Sequence, residues 1–72
     1  MRYYASERAH QLRDAIVDMT IRYGGSSMAL GFAYADGSHD GKPAEDWKRA
    51  RRRQFLALQR LSRALRDVEV RR

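Results

Sequence analysis

The chain has no cysteine, one proline, one tryptophan and two histidines in its 72 residues. The missing cysteines exclude disulfides and thiolate metal sites, and His10 and His39 are too few to close a zinc site. The longest apolar run, residues 28–35, is eight residues long and contains Gly31 and Tyr34. A membrane span needs about 20 apolar residues, so none is expected, and with no leader segment recognisable the sequence reads as cytoplasmic. Glycine-rich phosphate loops, an HExxH pair and paired catalytic carboxylates are also missing, so the chain reads as non-enzymatic, with no cofactor.

Chains of this length bury only about 60% of their unfolded surface. With disulfides and metals excluded, oligomerisation is the remaining source of stability.

Residues 43–70 carry the clearest pattern. At helical spacing Trp47, Leu58, Leu61, Leu65 and Val68 form one stripe, with Ala50, Ala57 and Ala64 beside it at intervals of seven. Pro43 fits the first turn of such a helix, where a missing N–H costs nothing. The opposite side holds Lys48, Arg49, Arg52, Arg53, Arg60, Arg63 and Arg66, a rod of charge about 25 Å long at ~1.5 Å per residue. Leu56 projects from the middle of that basic face.

A first helix is expected over residues 3–23. Ala5, Leu12, Ala15, Ile16, Met19 and Tyr23 form its main apolar stripe, and Gly24 and Gly25 supply the stop. Tyr3, His10 and Val17 recur every seven residues on its other side, and Ile21 extends that line. Two apolar stripes call for two partners, the second helix and another copy of the chain. Glu7, Asp14 and Asp18 lie beside the second stripe, where they read either as ion-pair partners of the arginines or as an ordinary solvated face.

Residues 24–42 read as a linker. Within it, residues 27–35 fit a short helix capped by Ser26 or Ser27, or a strand, since large and small side chains alternate from Met28 to Ala35. Asp36 to Gly41 matches the first six positions of a calcium loop, but position twelve, which needs a bidentate carboxylate, is Trp47. A polar turn is therefore expected. Ser38, His39 and Asp40 name the members of a hydrolase triad, but three consecutive residues cannot converge on one point.

The predicted fold is all-α: two long antiparallel helices and a partly ordered linker in a single domain, dimerising into a helical bundle.

Charge is divided unevenly. Residues 1–41 carry a net −1 and residues 42–72 a net +7, with Lys42 and Lys48 the only lysines among fifteen basic residues. Positive potential focused this way suits nucleic acid or an acidic protein surface. Arginine's planar fork suits phosphate and carboxylate alike. The sequence therefore predicts a small regulator binding DNA or RNA through Lys48, Arg49, Arg52, Arg53, Arg60, Arg63 and Arg66. The alternative is an adaptor or inhibitor that docks the same face, with Leu56 as apolar anchor, on an acidic partner protein.

Overall fold

The computed structural model describes residues 2–70, with side chains from 7 to 69. Helix α1 runs from Arg2 to Asp36, β1 is Ser38–His39, β2 is Lys42–Pro43, and helix α2 runs from Ala44 to Val70. The result is an antiparallel helical hairpin with Cα extents of 52 × 14 × 13 Å. Its long axis is the length of α1, whose 35 residues span about 52 Å at ~1.5 Å each.

The two helices meet along a seam of alternating three- and four-residue steps, the spacing that keeps one side of each helix facing its partner. On α1 the seam is Ala9, Leu12, Ile16, Met19, Tyr23, Ser26, Leu30 and Ala33, flanked by Ala29. Ala9, Leu12, Ser26, Ala29, Leu30 and Ala33 are buried. On α2 it is Trp47, Ala50, Gln54, Ala57, Leu61, Ala64 and Val68, all half-buried, with Leu58 and Leu65 beside them. The small residues let the backbones approach, which is how so thin a molecule closes a core.

Helix 1 is longer than the expected 3–23, and the segment at 27–35 is neither a separate helix nor a strand but the last part of α1. Gly24 and Gly25 do not stop it. Each mid-helix glycine costs about 1 kcal/mol relative to alanine. Beyond them Ser26, Leu30 and Ala33 continue the seam, and most helical stability in proteins comes from such packing rather than from propensity.

The stop comes at Gly37. Its φ of 87° is the left-handed cap conformation, and its N–H donates a 2.8 Å bond to the Ala33 carbonyl, closing the last turn. The true connection is residues 37–43. Ser38 pairs with Pro43 and His39 with Lys42, leaving Asp40 and Gly41 as the two turn residues at φ 50° and 74°. Positive φ at both central positions defines a type I′ turn, for which Asp-Gly is a preferred pair. The partial calcium-loop pattern is thus divided between a helix end and a tight turn. Among the described residues no group of three or more His, Asp or Glu is arranged to hold a metal ion.

The hairpin packs back on both helices. His39 stacks on Phe32 with ring centroids 5.3 Å apart and tilts against Trp47 at 6.0 Å, while Lys42 Nζ lies 5.1 Å over the indole. Helix α2 starts one residue after Pro43, with Glu45 and Asp46 in a first turn that favours negative charge. Among the described residues no helix is long and apolar enough to cross a membrane.

Candidate nucleic-acid interface

Since α2 turns Trp47, Ala50, Gln54, Ala57, Leu61, Ala64 and Val68 towards α1, with Leu58 and Leu65 beside them, its charged positions face outward. All eight basic residues from Lys48 to Arg66 are exposed. The expected residues Lys48, Arg49, Arg52, Arg53, Arg60, Arg63 and Arg66 therefore lie along one solvent-facing helix, and Leu56 lies among them at 41% exposure.

The acids of α1 do not neutralise this surface. Asp18 pairs with Arg22 on its own helix at 3.4 Å, and among the described residues the one ion pair between the helices, Arg13 to Glu69 at 3.1 Å, has the reverse polarity. Among the described residues none of the cations from Lys48 to Arg66 makes an ion pair. Eight uncompensated charges within about 25 Å repel one another, and an anionic partner relieves that repulsion.

One part of the surface is concave. Tyr23, Leu30 and Tyr34 of α1 and Lys48, Arg51, Arg52 and Phe55 of α2 line a groove of about 500 Å³ between the helices, with no acidic side chain in its wall. The Tyr23 and Phe55 rings meet at 6.3 Å and a tilt of 42°, and the Arg51 guanidinium lies 5.6 Å over the Tyr23 ring. That contact holds Arg51 at the groove wall by cation–π attraction. Tyr34 and Phe55 are exposed, so their rings offer open π surface beside three cations.

Of the expected site residues only Lys48 and Arg52 belong to this groove. Arg60, Arg63 and Arg66 sit on later turns, and Arg49, Arg53 and Leu56 lie outside its wall. Arg51 belongs to the dense charge run from Lys48 to Arg53 but was not among the expected site residues, because it flanks the seam instead of standing opposite it. The signal for it was there: Ala50 and Gln54 mark the seam, and Arg51 follows Ala50 on the side shared with Leu58 and Leu65.

Comparison with protein-family models, with curated proteins and with solved structures finds no match to this chain. Any functional reading therefore rests on the groove and the cationic helix themselves.

The Gln54 side chain is the unexplained group of the interior. Its Oε1 is buried with no hydrogen-bond partner among the described residues. The hairpin aligns His39 with Lys42, the Tyr23 ring meets that of Phe55, and Arg13 meets Glu69. Interpolating between these places Gln54 level with the buried Ser26 of α1. The two polar seam residues thus share one layer of an otherwise apolar interface, an arrangement that resists sliding of one helix along the other.

Proposed function

We propose that this chain is a non-enzymatic nucleic-acid-binding protein acting as a homodimer, with α2 running along phosphates and unpaired bases entering the groove at Tyr34 and Phe55. The observation that carries the reading is the row of unpaired cations from Lys48 to Arg66, continuous with a groove that joins Lys48, Arg51 and Arg52 to open aromatic rings. Arginine supplies bidentate phosphate contacts, and rings beside cations are what single-strand binders use to stack bases. Counterion release makes such binding salt-dependent.

Fluorescence anisotropy of a labelled single-stranded oligonucleotide and of the matching duplex, titrated from low salt to about 200 mM, tests it. Binding of at least one of them should persist at the upper salt. The double variant Arg52→Ala/Arg53→Ala should bind more weakly with unchanged helicity; equal affinity would overturn the assignment.

One observation favours a second reading. Phe55 and Leu56, 47% and 41% exposed, form an apolar pair ringed by arginines, which suits an anchor for an acidic protein surface. Leu56→Asp separates the two. A nucleic-acid binder should lose affinity modestly, and an interface anchor should lose most of it.

A further inference from the structure

Among the described residues the face of α1 turned away from α2 has no partner within the hairpin. Val17, Ile21 and Met28 on it are 60%, 69% and 66% exposed, and Phe32 adds a half-exposed ring at one edge. These residues follow their own alternation of steps, Val17, Ile21, Gly24, Met28, Gly31 and Ala35, a second seam on the back of the first. Isolated apolar residues on a surface mean little, but a continuous seam at interface spacing marks a contact.

The glycines on this seam have no explanation inside the hairpin. A Cβ added at Gly24 or Gly31 would meet nothing within 4 Å, and neither has a positive φ. Alanine would fit each position and favour the helix. What glycine offers there is close approach by another backbone from outside.

We propose that the occupant is a second copy of the same chain, docked antiparallel along α1 with the two-fold axis passing close to Gly24. The seam is self-complementary about that point. Reversing it places Val17 opposite Gly31 of the second copy, Ile21 opposite Met28 and Gly24 opposite Gly24, so large side chains meet small ones or each other and the backbones come closest at the glycines. Charge selects the same arrangement. Asp18, paired with Arg22, and Arg13, paired with Glu69, stand at the two edges of this outer face, and its centre line continues from Val17 through Asp14, His10 and Glu7, with these two acids and no Lys or Arg on it. A parallel pair would set these acids against their own copies. In the antiparallel pair Asp14 lies ten residues from the axis, about 30 Å from its counterpart at ~1.5 Å per residue. The acidic end of each copy then runs towards the hairpin of the other, which exposes Lys42. Contacts between two α2 faces are opposed by their unpaired cations.

The layer order becomes α2, α1, α1, α2. At a helix spacing of ~9 Å the two cationic helices stand about 27 Å apart on opposite outer surfaces, and the dimer buries neither. The strip from Asp14 to Ala35 is about 30 Å long and one helix wide, at the small end of specific interfaces, so association is expected in the micromolar range. This deepens the homodimer proposed above and does not depend on the nucleic-acid reading.

Sedimentation velocity of the full chain between ~5 and ~200 μM, with circular dichroism at each concentration, tests the proposal. The parent chain should dimerise within that range. Ile21→Glu and Met28→Glu, both at exposed positions, should keep its helicity and sediment as monomers. Gly24→Leu should act with opposite signs on the two equilibria: a higher thermal midpoint for the dilute monomer, where leucine favours the helix, and dimerisation weakened by about tenfold or more. A parent chain that stays monomeric removes both the homodimer and this interface. A dimer that survives both glutamate variants removes the interface alone. Association with anionic vesicles that is lost in Ile21→Glu, by a chain monomeric in solution, would assign the face to lipid and also overturn the proposal.

Discussion

The indole Nε1 of Trp47 donates a 3.0 Å hydrogen bond to the backbone carbonyl of His39. This single bond ties the first turn of α2 to the connection that precedes it, while Lys42 lies over the indole and the His39 ring is tilted against it. The hairpin is thereby packed onto the end of the helix pair, and the relation between the helices does not depend on the turn alone.

Trp47→Phe keeps most of the packing and removes the donor, so it should cost about 1 kcal/mol. Trp47→Ala removes both and should cost about 3 kcal/mol, tempered by the partial exposure of the site. Urea denaturation followed by circular dichroism measures both. Equal losses for the two variants would show that the hydrogen bond, and not the packing, carries the effect.

Gln54 leaves a buried oxygen without a partner among the described residues. Gln54→Leu, nearly equal in volume, should raise stability by about 1 kcal/mol, which for a domain of this size is roughly 4–8 °C in thermal midpoint. A fall in the midpoint would mean that the amide is satisfied in solution. The same variant should also loosen the register between the helices, which amide exchange near Ser26 would report as faster exchange.

Gly37 and Gly41 lie at φ 87° and 74°. Alanine at either position must adopt a left-handed conformation, at a cost of about 1 kcal/mol each. The two costs should add, because one glycine ends α1 and the other completes the turn. Thermal melts of the single and double variants check this, and neither variant should alter oligonucleotide binding.

Arg13 and Glu69 are both about half exposed in their 3.1 Å pair. Exposed pairs of this kind contribute about 0–1 kcal/mol, so Glu69→Gln should shift stability by less than about 0.5 kcal/mol, and less still at high salt. A larger loss would make this contact the clamp of the open end.

If unpaired bases stack in the groove, Phe55→Ala should reduce single-strand affinity by about 1–3 kcal/mol and leave the salt slope unchanged, since no phosphate contact is removed. Duplex affinity should change little. A parallel loss on both substrates would show that Phe55 shapes the arginine surface and does not stack a base.

The hairpin was legible because its signals are periodic and strong. The stripe through Trp47, Leu61 and Val68 gives α2 within one residue of its observed start, and the basic residues from Lys48 to Arg66 had nowhere to face but solvent. Leu12, Ile16, Met19 and Tyr23 likewise marked the inner side of α1. The groove was less legible. Tyr23, Tyr34 and Phe55 are far apart in sequence, and only the packing of α1 on α2 brings them beside Arg51.

The end of α1 could not be read locally. By propensity Gly24-Gly25 is a stop, and Met28 to Ala35 fits a strand as well as a helix. What overrides both is that Ser26, Leu30 and Ala33 find α2 beside them, a contact that exists only once the chain has folded back. The sequence by itself therefore determined the helical class, the cationic helix and the apolar sides of both helices, because each is a property of spacing along the chain. Tertiary structure alone decided where α1 ends and which residues meet across the seam, because those depend on one segment supplying packing energy to another.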